Sequence, residues 1–254
     1  MSARTRDEAA AEGHGAGREG RGHGTRSRFA GRRENLDQPR QGAAHGRVVD
    51  AGEAVGQGLA LAQAAADRGA HVTLVAANLE LPVPAGIEVV PVETALHLQG
   101  EMTRRAPDHD VVVMVAAVAD FRPAEYAASK IKKTHDPAGP DAAPTIQLVR
   151  NPDVLAGLVE ARGCATSPVI VGFAAETGDA TGSVLELGRA KLARKGCDLL
   201  VVNEVGVDKT FGADDTTVHV LRRGSDDVVD IGPASKTEVS HGIWDVVVGS
   251  VVAD

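Results

Sequence analysis

Three short apolar runs constrain what this chain can fold into. They are DVVVMVAA at residues 110–117, VIVGFAA at 169–175 and LLVVN at 199–203. Strands with almost no polar residue are typical of parallel sheets that are covered on both faces. Helical patterns separate these runs, so the sequence predicts an α/β fold: a Rossmann-like, doubly wound, mostly parallel sheet. Ligands of such sheets bind at the carboxyl ends of the strands.

The neighbouring segments support the same fold class. A final helix opens at Ser235, with Glu238 three residues later in the spacing of a capping box. Residues 216–223 and 227–232 alternate in polarity, which predicts a C-terminal antiparallel hairpin. The other predicted elements are helices at 56–70, 94–105 and 183–195, a helix from Pro152, and strands at 71–77 and 87–92.

The N-terminal segment differs from the rest in composition. Residues 1–47 contain no Lys, Ile or Val and show no strand or helix periodicity. Such a segment cannot bury a core, so we expect residues 1–47 to be disordered or poorly ordered and residues 48–254 to form one domain.

Overall composition excludes several classes of function. The net charge is −8 and aromatic residues are 2% of the chain, which disfavours a nucleic-acid partner. No run approaches the roughly 18 apolar residues of a membrane span, so we expect a cytoplasmic protein without a membrane partner. Cys164 and Cys197 form no metal-binding or disulfide pattern, and we expect both to be inert and partly buried.

A helix start and a group of lysines are the candidate anion sites. Asn151, Pro152 and Asp153 suggest a helix with Asn151 as N-cap, either simply capped or also binding phosphate at its free N–H groups. Lys191 and Lys195 lie four residues apart on one helical face, which indicates a solvated face or an anion between them.

Two further features belong to the loop after the strand at 110–117. Lys130, Lys132 and Lys133 indicate either a mobile cationic flap that closes over a polyphosphate or a solubilising loop. Asp120 is suited to a ribose hydroxyl or a magnesium ion, or else begins an Asx turn.

Phe173 ends the run VIVGF. Its ring is predicted either to pack in the core or to form a wall for a nucleotide base. Core packing is the commoner role for a phenylalanine at the end of a buried strand.

The segments AAVADFRPAEYAASKIKK, RNPDVLA and GFAAETGD make residues 56–254 resemble the phosphopantothenate–cysteine ligase family. The resemblance implies a dimeric enzyme that uses CTP and Mg²⁺ to join 4′-phosphopantothenate to cysteine through an acyl-cytidylate. It assigns a catalytic role to Lys130 in the flap. The implied CTP contacts are Met114, Val115, Ala116, Asp120, Lys130, Pro152, Asp153, Val154, Leu155, Phe173, Lys191 and Lys195.

The match to this family stops near residue 56. GRRENLD at residues 31–37 echoes a turn of the family, but HGRVVDAGEAVGQG stands where the family has an Asn-bearing segment. Either this stretch is read in a shifted frame or the protein has lost its first strand. No catalytic residue is assigned to it, and the metal ligands stay open.

Three functions therefore compete. The first is the ligase alone, without a flavin, because no flavin-binding domain is recognisable. The second is a catalytically impaired remnant of the family that binds nucleotide or dimerises. The third is a nicotinamide-dependent dehydrogenase, which is disfavoured because GQG at 56–58 follows no predicted strand.

Overall fold

The structure is a computed structural model that describes residues 46–50, 54–125, 145–177, 182–204 and 215–251. The segment 1–45, with the GRRENLD echo, lies outside the described residues, as does the lysine loop at 126–144. The first strand begins at Gly46, next to the expected domain start at residue 48. The predicted disorder before that boundary stays a prediction.

Eight strands form one sheet, and two more form a separate ribbon. The sheet order is β10-β9-β8-β7-β4-β1-β2-β3, with every neighbouring pair from β3 to β8 parallel and β9 antiparallel to both of its neighbours. The strands are β1 (Gly46–Asp50), β2 (Thr73–Ala77), β3 (Glu88–Val92), β4 (Val111–Met114), β5 (Phe121–Pro123), β6 (Leu148–Arg150), β7 (Val169–Glu176), β8 (Leu199–Glu204), β9 (Asp215–Arg222) and β10 (Val228–Ser235).

Helices cover both faces of the sheet, as a doubly wound fold requires. The first and last helices share a core cluster on one face, and the other three share a cluster on the opposite face. The helices are α1 (Ala54–Asp67), α2 (Ala95–Arg105), α3 (Val154–Arg162), α4 (Val184–Lys195) and α5 (Lys236–Val251). The predicted fold class is confirmed.

Strand alternation explains why the central strands are apolar throughout. On β4, Val111 and Val113 pack under α1 and α5, whereas Val112 and Met114 pack under α2 and α3. All four side chains are buried, because successive strand residues point to opposite faces and both faces are covered. The polar residues that could contact a ligand are therefore confined to the strand ends and loops.

Arg162 anchors the C-terminal end of α3 to the sheet. Its guanidinium forms a two-pronged contact with Asp198, with Nη2 to Oδ1 at 3.1 Å, and its side chain is only 3% exposed. The same carboxylate accepts from the N–H of Ile170 at 2.8 Å. A buried bidentate pair of this kind fixes orientation, so α3 is held against β7 and β8.

Several details differ from the sequence prediction. β4 spans Val111–Met114 rather than 110–117. No strand was predicted at Gly46–Asp50, yet β1 lies between β2 and β4 in the sheet. The antiparallel ribbon of β5 and β6 was also missed. The predicted hairpin is confirmed as β9 and β10, and it extends the main sheet rather than standing apart.

The two outer strands of the sheet each carry a proline. Pro91 lies within β3, and Pro233 lies in β10 where the register with β9 shifts between Ile231 and Ala234. Proline has no N–H, and it is confined to edge strands and bulges of sheets.

Both cysteines depart from the expectation of partial burial. Cys164 is exposed and Cys197 is fully buried. Burial raises the pKa of the Cys197 thiol to about 11, so this thiol stays protonated at neutral pH. Within the described part of the chain, none of the helices has both the length and the apolar character needed to cross a membrane.

Two helical glycines provide a test of this packing. A Cβ at Gly188 in α4 would lie 2.8 Å from Val202 and 3.0 Å from Leu221, whereas a Cβ at Gly100 in α2 would meet nothing within 4 Å. We expect Gly188→Ala to lower the free energy of unfolding by about 1–3 kcal/mol through overpacking. Gly100→Ala should raise it by about 0.5–1 kcal/mol through helix propensity.

Urea unfolding followed by circular dichroism measures both changes. The two substitutions are chemically identical, so opposite signs test the helix-to-sheet contact itself. Equal effects of the two alanines would contradict the packing of α4 on β8 and β9.

Candidate functional site

A cavity of about 590 Å³ lies at the end of β4, next to β7. Its walls are the end of β4, the loop from Ala116 to Asp120, the start of α3 and the last turns of α4. Phe173 on β7 and Leu200 on β8 form its floor. This position, at the ends of adjacent parallel strands, is where doubly wound sheets bind ligands.

The cavity gathers most of the residues that the sequence analysis singled out. Val115 is an exception, because its side chain is buried in the core cluster on the opposite face. Lys130 lies outside the described residues. The predicted residues that line the cavity are Met114, Ala116, Asp120, Pro152, Asp153, Val154, Leu155, Phe173, Lys191 and Lys195.

Asp153, and not Asn151, caps helix α3, so the predicted N-cap was wrong. Oδ1 of Asp153 accepts from the N–H of Ala156 at 3.1 Å, and the helix begins at Val154. Both residue types are good caps, and the sequence offered both within three positions. Pro152 therefore precedes the cap instead of occupying the first helical position.

The carboxylate of Asp153 has a second partner in Lys195. The Lys195 Nζ contacts Oδ2 of Asp153, which ties the end of α4 to the start of α3. Burial by itself would raise the pKa of Asp153, but the hydrogen bonds from Lys195 and Ala156 outweigh it and hold the pKa below its ordinary value. An anionic group of the protein thus already occupies the positive end of α3.

Lys191 is paired in the same manner. Its Nζ lies 2.5 Å from Oε1 of Glu176, the last residue of β7. The Glu176 side chain is 17% exposed, so this pair is better shielded from water than a typical surface pair. The sequence analysis expected an anion or solvent between Lys191 and Lys195; the structure supplies one carboxylate for each lysine.

Local sequence fixes the helix that carries these lysines. Ser183 and Glu186 form a reciprocal capping box at the start of α4, and Gly196 adopts φ +70° at its end. Only a residue that tolerates a left-handed backbone closes a helix in this way, which explains a glycine directly after Lys195.

Sequence reasoning missed several groups at the cavity. Arg150 and Arg194 line it, and neither has a carboxylate within salt-bridge distance among the described residues. Phe121 also lines it, with the Arg150 guanidinium 5.8 Å from its ring centre. Arg150 stands in RNPDVLA and Phe121 in ADFRP, but pairing of β5 with β6 is what joins these two residues, and neither strand has a periodic signal.

The structure also bears on the dehydrogenase alternative. A strand does precede GQG, since β1 ends at Asp50, so that premise was wrong. Gly56 and Gly58 nevertheless lie inside α1 and not in the strand-to-helix turn, where a dinucleotide-binding glycine belongs. No group of three or more potential metal ligands occurs among the described residues.

Comparison with known proteins identifies the family to which the chain belongs. The family model of the DNA/pantothenate metabolism flavoprotein C-terminal domain matches residues 48–250. The coenzyme A biosynthesis bifunctional protein CoaBC of Mycobacterium tuberculosis is 51% identical over 197 residues, 76% of this chain and 46% of the relative. The chain therefore spans about half the length of the curated relatives it matches.

Solved structures agree in fold. A crystal structure of the C-terminal domain of CoaBC has a TM-score of 0.64 and 25% identity, covering 84% of this chain and 98% of that one. A Cab2 variant in complex with phosphopantothenate-cysteine has a TM-score of 0.62 and 16% identity, covering 82% of this chain and 87% of that one. This chain belongs to the family of the DNA/pantothenate metabolism flavoprotein C-terminal domain.

Proposed function

We propose that this chain is a phosphopantothenate–cysteine ligase of coenzyme A biosynthesis that uses CTP. Family membership supports the pathway, and relatives carry the name of a coenzyme A biosynthesis protein. The likeness to a Cab2 structure that holds phosphopantothenate-cysteine supports the product. The proposal concerns ligation alone, with no flavin in this chain.

The observation that carries the proposal is the cationic lining of the cavity. Lys191, Arg194 and Lys195 line one side, and Arg150 lines another. A volume of about 590 Å³ is within the range of small-molecule sites. Clustered cations beside a helix start suit a polyphosphate, because each can donate charge-assisted hydrogen bonds to its oxygens.

The other lining groups are assigned to the rest of the nucleotide. Phe173 and the backbone of Met114 to Ala116 form the wall for the base. Asp120 accepts from a ribose hydroxyl or reaches the metal ion. Lys191 and Lys195 exchange their carboxylate partners for phosphate oxygens when CTP binds.

Magnesium fits this site as an ion that enters with the phosphates. Mg²⁺ prefers oxygen ligands and is held by one or two carboxylates together with substrate phosphates. Asp153 is committed to Lys195 and the α3 cap, whereas the Asp120 carboxylate at the cavity wall forms no ion pair with any of the described residues. Asp120 is thus the carboxylate that we assign to the metal.

The proposed chemistry needs no covalent nucleophile on the protein. The carboxylate of 4′-phosphopantothenate attacks the α-phosphorus of CTP, and pyrophosphate leaves with its electron pair. The amine of cysteine then attacks the acyl carbon, loses a proton and releases CMP. The cations stabilise the negative charge that develops on the phosphates.

A second candidate is the catalytically impaired remnant. Its support is the segment HGRVVDAGEAVGQG, which contains no Asn, Ser or Lys where the family has its Asn-bearing segment. A remnant binds CTP but releases no pyrophosphate when phosphopantothenate is added. Pyrophosphate release therefore separates the two candidates.

A homodimer in the cytoplasm is part of the proposal. The ribbon of β5 and β6 exposes Phe121, Leu148 and Val149, and Ile146 just before β6 is exposed as well, with Ile146 62% and Leu148 55% exposed. A two-stranded ribbon is marginal by itself, and clustered exposed apolar side chains favour a covering surface. We assign the cover to a second copy of the chain.

Light scattering tests the dimer. Leu148→Asp should convert the dimer to a monomer, because a carboxylate would be buried unpaired between the copies. Val229→Asp, an exposed apolar position on the sheet edge, serves as the matched control and should leave the mass unchanged. A monomeric unsubstituted chain, or a dimer in Leu148→Asp, contradicts the assignment.

Nucleotide choice is tested by thermal unfolding. CTP with Mg²⁺ should raise the melting temperature of the full chain, whereas NAD should not, because a ligand that binds only the native state stabilises it. At a concentration a hundred times the Kd, the stabilisation is about 2.7 kcal/mol. Equal shifts with CTP and NAD, or no shift with CTP, contradict the ligase.

The two lysines are tested by comparing CTP with CMP. Lys191→Ala or Lys195→Ala should weaken CTP about tenfold, since a charge-assisted hydrogen bond contributes about 1.5–3 kcal/mol and loss of the carboxylate pair offsets part of it. CMP, which lacks the outer phosphates, should weaken by much less. Titration calorimetry gives both affinities.

Arg104→Ala is the matched control, since Arg104 is an exposed cation on α2 that does not line the cavity. An equal loss for CTP and CMP would place the lysines near the base or ribose.

The role of Lys130 in closing over the reacting centre remains a proposal from the sequence. Lys130→Ala should lower turnover far more than CTP affinity, in a chain that carries the family's Asn-bearing segment.

A further inference from the structure

Asn151 joins two separate segments of the cavity wall. One is the loop from Ala116 to Asp120, and the other is the stretch from Arg150 to Leu155 that starts α3. The side-chain Nδ2 of Asn151 donates to the carbonyl of Ala119 at 2.8 Å. Its backbone N–H donates to the carbonyl of Asp120, also at 2.8 Å.

Arg122 completes this clamp from the other side. Its Nη1 donates to the carbonyl of Arg150 at 2.7 Å and to Oδ1 of Asn151 at 3.1 Å. The amide of Asn151 is therefore engaged at both ends, as a donor to Ala119 and as an acceptor from Arg122. A side chain engaged at both ends of a planar amide has one orientation.

Asn151 contacts the end of the loop that joins β4 to β5. β4 ends at Met114 and β5 begins at Phe121, so the residues between them are outside both strand ladders. The two carbonyls that Asn151 holds belong to Asp120 and to the residue before it. Pro152 follows Asn151 and restricts it to an extended backbone, which prepares the clamp before any ligand arrives.

We propose that Asn151 is a positioning residue that holds Asp120 in place for the nucleotide. This inference rests on the proposed function and adds to it a residue whose role is neither helix capping nor direct contact with the phosphates. Asp120 makes the contact with ribose or metal, and Asn151 sets where the Asp120 backbone lies. The Asn151 side chain holds Ala119, the residue before Asp120, so loss of that side chain acts through the position of Asp120 even though the backbone hydrogen bond stays.

A double-mutant cycle on the full chain tests this dependence. Titration calorimetry with CTP and Mg²⁺ is run on the unsubstituted chain, Asn151→Ala, Asp120→Asn and the double variant. Asn151→Ala should weaken CTP about tenfold, as expected for hydrogen bonds that orient a charged group. In the Asp120→Asn background the same change should weaken CTP by less than about twofold, because the contact it supports is already lost.

Asn151→Asp separates the two ends of the amide. It keeps an acceptor for Arg122 but loses the donor to Ala119, so it should weaken CTP as much as Asn151→Ala does. Full CTP affinity in Asn151→Asp overturns the role of the Ala119 contact. Thermal unfolding without nucleotide identifies any variant that has lost its fold. If Asn151→Ala has lost its fold, Asn151→Asp takes its place in the titrations.

The outcomes distinguish this inference from the proposed function. An equal loss from Asn151→Ala in both backgrounds, or no loss at all, overturns the positioning role while CTP binding by the unsubstituted chain keeps the ligase proposal. Failure of the unsubstituted chain to bind CTP overturns both.

Discussion

Burial of the central strands on both faces is the constraint on which the rest of this structure depends. Three helices cover one face of the sheet that contains β4, β7 and β8, and two helices cover the other face. A polar side chain in their interiors would lose its water without gaining a partner, which costs about 1–3 kcal/mol. Chemistry is thereby restricted to the places where the strands stop, and the cavity beside Met114 and Phe173 is such a place.

The charges at this cavity are balanced before any ligand arrives. Glu176 holds Lys191, and Asp153 holds Lys195 while it also caps α3. These pairs keep two long, flexible side chains oriented, so less conformational entropy would be lost if an anionic ligand replaced a carboxylate. They also weaken the binding of any anion, since the anion must compete with a carboxylate already in position. A group with several negative charges meets that requirement better than one with a single charge.

Sequence predicted the features that depend on local chemistry. The alternation of apolar strands with helices gave the doubly wound sheet, and Ser235 with Glu238 forms the capping box that their spacing predicts. The prediction of Asn151 as the N-cap of α3 was wrong for a non-local reason. Ala119 and Arg122 recruit the Asn151 side chain from 29 to 32 residues away, and no local pattern records such contacts.

The ribbon of β5 and β6 was missed for a similar reason. Each strand is three residues long, which is too short for an alternating pattern to be read. The strand at Gly46–Asp50 straddles the boundary at residue 47, before which the composition predicts no core. In the sheet it pairs with β2 on one side and β4 on the other, and these contacts are distant in sequence and leave no local pattern.

The prolines at the two outer strands have a consequence for how copies of this protein can associate. An open sheet edge invites another strand to pair with it, and an eight-stranded sheet has two such edges. Pro91 on one edge and Pro233 on the other withhold an N–H from any incoming strand. End-to-end growth of the main sheet into a filament is therefore discouraged at both edges, and copies that associate would have to do so through other surfaces.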